Sequence, residues 1–439
     1  MMRPKILLAA LILAVPQLLP LSLAWSANLG AIYQLARDND AKLAAAREAR
    51  NAGQEKIPQG KAGLLPAVNL TANLRHNETD TSLSPSNSYG SHGFALSLVQ
   101  PIYRKQNLEF FEQSKLQALL SEQQLKLAEQ ELMLRVAGAY FDILLAQDTL
   151  ATAQSQKQAF AEQLAQARKS FEVGAATITD THEAQARFDL TTAQEIAAQN
   201  DLEVKRRSLE KIINQESPKL ARLGEIVRMP LPEPSNMDVW LNQAEEGSLN
   251  VALSQTSLEL ARREVERQRG AHLPTLDLSA SYVDSRNAVT STGNVNSKSG
   301  VLGLEFGWVL YQGGAIDSRV REAVANQGKA RYDLDEVRRQ SRLDARQGYL
   351  GVYSGDAQVR ALEQALVSSE AQLKSTKLGL EVGVRTRVDV LNAQQQLYTT
   401  KRDLSAARYK TLFSGLQLKG AAGSLGMDDL NALDALLKE

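Results

Sequence analysis

Phe171-Glu-Val-Gly-Ala-Ala-Thr-Ile-Thr-Asp180 is written a second time, with changes, as Leu380-Glu-Val-Gly-Val-Arg-Thr-Arg-Val-Asp389. Each copy is followed by an Ala- and Gln-rich helical stretch. The repeat is not confined to these ten residues. Leu65-Pro66 recurs as Leu273-Pro274, each opening an alternating segment, and Ala139-Tyr140-Phe141 recurs as Gly348-Tyr349-Leu350. Three separated landmarks share one offset to within a residue, so the chain is internally duplicated. The Pro-rich stretch Met229-Pro-Leu-Pro-Glu-Pro234 is the natural join. The expected organisation is a signal peptide (1–26), a first repeat (27–228), a linker (229–236), a second repeat (237–420) and a tail (421–439). The tail from Met427 to Glu439 reads as a short amphipathic helix.

Each half carries the same parts in the same order. An amphipathic helix comes first, Asn28 to Ile57 and then Met237 to Gly270. Two strands follow. A very long helix comes next, from about Asn107 to Phe171 and from about Asp317 to Leu380. At 1.5 Å per residue such a helix is roughly 100 Å long, more than a globular domain accommodates. A Gly-containing turn then leads to a return helix, Asp180 to Asn214 and Asp389 to Lys419. The two shorter helices of each half add up to the length of the long one, which suggests a wall of equal-height columns.

The strands alternate at period two. Val68, Leu70, Ala72 and Leu74 face one side, and Asn69, Thr71, Asn73 and Arg75 the other. Leu276, Leu278, Ala280 and Tyr282 alternate with Asp277, Ser279 and Ser281. Phe94, Leu96 and Leu98, and then Leu302, Leu304, Phe306, Trp308 and Leu310, repeat the pattern. This is the apolar-out, polar-in signature of a transmembrane barrel. The Ser-, Asn-, Thr- and Gly-rich stretches Asn77 to Gly93 and Asp284 to Gly300 are expected to be exposed hairpin loops. Four strands cannot close, and an open edge in lipid leaves backbone groups unpaired, so closure needs further copies. Two copies give eight strands, a barrel filled by its own side chains. Three give twelve and leave a conduit.

Composition narrows the function. Lys+Arg and Asp+Glu both number 50 in 439 residues, so net charge gives no case for nucleic acid as a partner. The absence of Cys excludes a disulfide framework, a thiolate metal site and a Cys-linked lipid anchor. His76, His92, His182 and His272 are dispersed and propose no metal centre. No convergent polar cluster suggests catalysis, so the chain reads as a non-enzyme without metal or cofactor. The basic start Met1-Met-Arg3-Pro-Lys5, the apolar run Ile6 to Leu23 broken by Pro16 and Pro20, and Ala24-Trp-Ser26 read as a secretory signal. A periplasmic coiled-coil adaptor or interaction protein is the alternative. It would explain the helices but not four amphipathic strands.

The sequence closely resembles the TolC family of outer-membrane efflux and type I secretion channels. The resemblance rests on Leu65-Pro66 with its strand, Ala139-Tyr140-Phe141, Phe171-Glu-Val-Gly, Val382-Gly-Val-Arg-Thr386, Val388-Asp-Val-Leu391, His272-Leu-Pro-Thr-Leu-Asp-Leu278 and Tyr311-Gln-Gly-Gly314. It implies an α+β membrane protein: a homotrimer with a twelve-stranded β-barrel in outer-membrane lipid, four strands per chain, continued by a periplasmic helical barrel. It further implies a passive exit duct that works with a periplasmic adaptor (membrane fusion) protein and an inner-membrane ABC or proton-driven transporter. Val173, Gly174 and Thr177, and Val382, Gly383 and Thr386, match the family's adaptor-docking turns. The same residues are also capping-box and turn patterns. Asp389 matches an aspartate of the periplasmic constriction. A second family aspartate one turn on is Asn392 here, so a trimeric ring would carry three carboxylates rather than six. Asp180 and Arg385 match a pair that latches the closed aperture, where the family also uses a Tyr at the position of Leu380.

Overall fold

The computed structural model describes residues 27–81, 84–224, 228–289 and 293–438, so the expected signal peptide lies outside the described residues. Three helices open the chain: α1 (Leu29–Asn39), α2 (Ala41–Gln54) and α3 (Lys56–Ala62). Strands β1 (Ala67–Thr81) and β2 (Ser84–Tyr103) follow, then α4 (Lys105–Glu172) and α5 (Ile178–Ile213). After β3 (Arg222–Leu223) come α6 (Met237–Gly247) and α7 (Leu249–Arg269). Strands β4 (Thr275–Val289) and β5 (Gly293–Gly307), then α8 (Ala315–Glu381) and α9 (Arg387–Ala421), repeat the order. The chain closes with α10 (Met427–Asp434) and β6 (Leu437–Lys438).

Two sequence expectations need correction. The helix expected from Asn28 to Ile57 is broken at Asp40, whose backbone is extended (ψ 118°) and whose carboxylate accepts from Leu43 N at 2.8 Å. A side chain that caps the next helix competes with continuing the first. Arg135 of α4 then pairs with Asp40 at 3.0 Å, fixing the break against the long helix. The helix expected from Met237 to Gly270 also breaks, at Ser248 (ψ 134°), which makes no side-chain cap bond to α7 and whose hydroxyl instead accepts from Ser341 at 3.3 Å. The second correction concerns the expected loops. Most of 77–93 and 284–300 is paired strand, with Asn77 opposite Tyr89 and Asp284 opposite Lys298. Apolar alternation stops where the face becomes polar, but backbone pairing continues because it needs no apolar face.

The sheet has the order β1-β2-β4-β5, antiparallel throughout. Residues directly opposite share a face. Val68, Leu98, Ala280 and Leu302 therefore form one row across all four strands. Leu70, Leu96 and Tyr282 form the next, and Leu278 with Leu304 and Leu276 with Phe306 continue below. This apolar face is bare in the chain: Leu70 is 69% exposed, Leu302 75% and Leu304 66%. It ends where Phe94 meets Asp284 and Lys298. The span from Tyr103 to Phe94 covers roughly 30 Å of strand. At barrel tilt that corresponds to a band of about 25 Å, the height of an outer-membrane barrel's hydrocarbon belt.

The helices make the rest. The 68 residues of α4 equal the total of α1, α2, α3 (11, 14 and 7) and α5 (36). The 67 of α8 likewise equal α6 and α7 (11 and 21) with α9 (35). The main core lies midway along the columns, where α1, α4, α5, α9 and α10 meet around Leu29, Val136, Tyr140, Leu209 and Leu430. Tyr140 there lies within hydrogen-bond distance of the carbonyls of Ala221 (2.8 Å) and Ala27 (3.2 Å). Tyr349, its counterpart in the second half, donates to Ser235 O at 2.5 Å. Tyr349 thus ties its long helix to the segment that leads into its own half, whereas Tyr140 sits between the segment that leads in at Ala27 and the one that leaves at Ala221. The tail joins the same core: Asp434 accepts from Leu29 N (2.7 Å) and Gly30 N (3.0 Å) at the start of α1, and β6 pairs with β3.

Candidate functional site

The tips of the two long hairpins gather every site residue named from the sequence. Val173 closes α4 and Val382 closes α8. Gly174 (φ +73°) and Gly383 (φ +78°) then turn the chain back. A Cβ at either glycine would meet nothing within 4 Å, so the left-handed backbone, not crowding, calls for glycine there. Ala175 N donates to Ser170 O in the first turn and Val384 N to Gly379 O in the second, at 2.7 and 2.9 Å.

The next helices start alike. The Thr177 backbone N–H and hydroxyl both donate to Asp180 Oδ2 (3.0 and 2.9 Å), while Asp180 N donates to Thr177 Oγ1 (3.2 Å). Thr386 and Asp389 repeat the reciprocal bonds at 2.9, 2.9 and 3.2 Å. These are two complete capping boxes. The bond from the Thr386 backbone N–H, then that from its hydroxyl, and the nearby Arg385 charge hold the Asp389 carboxyl below the usual carboxylate range. Beside these rigid caps, Val173, Val382 and Val384 stand 77%, 66% and 75% exposed. Both tips are therefore stiff turns carrying apolar side chains into solvent.

The candidate residues divide between two grooves. Asp180 and Leu380 line one, together with Thr386, Lys377 and Arg387. Arg385, Asp389 and Asn392 line the other, with Gln372 and Thr376. Asp180 and Arg385 line different grooves and form no ion pair with each other among the described residues.

Side-chain bonds fasten the two hairpins together, and the sequence reading missed the arginines that make two of them. Arg187 Nη2 on α5 donates to Asn392 Oδ1 on α9 at 3.1 Å. Arg187 also lies 3.6 Å from Glu183. Arg387 Nη2 donates to Ser170 Oγ at 2.6 Å, joining the start of α9 to the end of α4. Gln163 of α4 donates to the buried Gln394 of α9 at 2.9 Å. The available signal for Arg187 was its position two turns past Asp180 and one past Glu183, on the same helix face.

A model of the family described as outer membrane efflux protein matches residues 32–215 and again 240–424. The outer membrane protein TolC of Vibrio cholerae is 32% identical over 423 residues, 95% of this chain and 95% of that protein. The alkaline protease secretion protein AprF of Pseudomonas aeruginosa is 32% identical over 412 residues, 92% and 86% of the two chains. Among solved structures, the outer membrane protein VceC from Vibrio cholerae superposes with a TM-score of 0.76 at 17% identity, covering 90% of this chain and 96% of that one.

Proposed function

The chain belongs to the outer membrane efflux protein family, and on that footing we propose that three copies close into one duct through the outer membrane. The protein is an outer-membrane exit duct for efflux or type I secretion, with a periplasmic extension. The observation that carries the trimer is the four-stranded sheet. Its apolar face carries exposed side chains on every strand (Leu70, Leu96, Tyr282 and Leu304), and β1 and β5 are edges within the chain. Lipid satisfies the apolar face but offers nothing to the edge N–H and C=O groups, which must pair with other copies. Twelve strands leave a lumen and eight do not.

In this reading the helical columns carry the duct into the periplasm, and their tips form its inner end. The exposed valines around Gly174 and Gly383, on turns stiffened by Thr177 and Thr386, suit docking of a periplasmic adaptor. Asp389 and Asn392 of three copies surround the constriction. Asp180 of one copy and Arg385 of its neighbour latch it, with Leu380 contributing packing but no hydrogen bond. The duct itself is passive, and an inner-membrane ABC or proton-driven transporter supplies the energy. Membrane fractionation with chemical crosslinking tests this: a crosslinked trimer in the outer-membrane fraction is expected, and recovery as a soluble periplasmic monomer would exclude the duct.

A further inference from the structure

We infer that Arg187 is a selectivity residue of the constriction, cancelling there the charge that Asp389 supplies. This rests on the duct reading and adds to it a charge that lies on the other repeat.

Asn392 stands one helical turn past Asp389 on α9 and is exposed, so both face the space at the tip. Its amide oxygen is held by the Arg187 guanidinium of α5 at 3.1 Å, across 205 positions of sequence. The arginine is set in place from behind. Its neighbour Phe188 packs against a buried cluster of Leu164, Ala167 and Ala184, which fixes the rotation of α5. Glu183, one turn earlier, lies 3.6 Å from the guanidinium and steadies its approach.

The charges at this end of α9 can then be taken together. Asp389 and Glu183 are negative. Arg385, whose charge acts on Asp389, and Arg187 are positive. These four groups sum to zero in each chain, so a threefold ring of them carries no net charge. An aperture of carboxylates alone would draw cations and hold back anions. A ring of both signs, in which Arg187 lies 3.6 Å from Glu183 and the Arg385 charge acts on Asp389, discriminates weakly. Asn392 fits this arrangement as a neutral acceptor, since its oxygen takes the guanidinium N–H without adding charge.

The test is the reversal potential of single channels in planar bilayers under a potassium chloride gradient. Arg187→Gln keeps a helix-compatible side chain and removes the charge from each copy. The cation-over-anion permeability ratio is expected to rise roughly threefold, as the loss of one cation per copy from a screened ring of charges predicts. Arg187→Lys keeps the charge and should retain the wild-type ratio. Asn392→Asp likewise leaves one uncompensated carboxylate in each copy and should raise the ratio by a similar factor. Both substitutions together leave two and should raise it further than either alone. An unchanged ratio in Arg187→Gln, or an Arg187→Lys channel that matches Arg187→Gln, would overturn the inference. Wild-type protein that forms no channels would instead overturn the duct reading beneath it.

Discussion

Asp389 does two jobs that pull in the same direction. It accepts both bonds of a capping box, and it keeps its negative charge where Arg385 can feel it. Its carboxyl pKa is lowered, so the cap is at full strength above the unfolded value near 3.8 and is lost as pH falls below it. Replacing Thr386 with Ala removes the two bonds of its hydroxyl, leaves the backbone N–H bond to Asp389, and should cost about 1 kcal/mol of local helix stability. Faster amide exchange at residues 387–390, with exchange farther along α9 unchanged, is the expected reading. Arg385→Ser should raise single-channel conductance, because the proposed inter-copy latch would lose one of its sides. Unchanged conductance would remove Arg385 from that role. The capping boxes were legible in the sequence because they are local, three residues apart. The bonds from Arg187 to Asn392 and from Arg387 to Ser170 were not, since residues more than 200 positions apart meet only after two hairpins pack.

Among the helices, α8 and α9 show how far close packing depends on missing side chains. Gly348, Gly351 and Gly355 lie on one face of α8. A Cβ on Gly348 would sit 2.8 Å from Leu418 Cα, and one on Gly355 would sit 2.3 Å from Thr411 Oγ1. Gly348→Ala must therefore push α9 away by its backbone and should lower Tm. Gly328→Ala in the same helix meets nothing within 4 Å and should stabilise by roughly 0.5–1 kcal/mol through helix propensity alone. If both glycines respond alike, packing is not what keeps Gly348. Higher up, α4 and α7 are joined by Gln113 Nε2 donating to Glu264 Oε2 at 2.9 Å. Burial pushes the Glu264 carboxyl up, but bonds from Arg267, Gln113 and Gln268 outweigh it and bring the pKa to about 2. A depressed carboxyl stabilises the fold above its unfolded value near 4.5 and loses that contribution as pH falls toward 2. The Tm gap between wild type and Glu264→Gln should accordingly be larger at pH 7 than at pH 3. An equal gap at both would mean that this carboxyl's ionisation does not support the fold. The long helices and the strand faces could be read from periodicity. The breaks at Asp40 and Ser248 could not, because a polar residue at a break and one in mid-helix look the same until the chain turns.

The whole chain is two hairpin units whose element order, tyrosine anchors and tip turns correspond, joined so that α4 and α9 share one core. Duplication was visible from three landmarks at one offset. What each landmark does was not: Tyr140 and Tyr349 act through hydroxyl bonds to backbone more than 80 residues away. The sheet is the part least able to stand alone. In the proposed duct its apolar face and its two edges are a third of a closed wall, and they would set the number of copies. The native mass of the complex extracted from outer membranes into detergent, with bound detergent subtracted, tests this most directly. Three chains per particle is the expected result, and a particle of one or two chains would contradict a twelve-stranded duct.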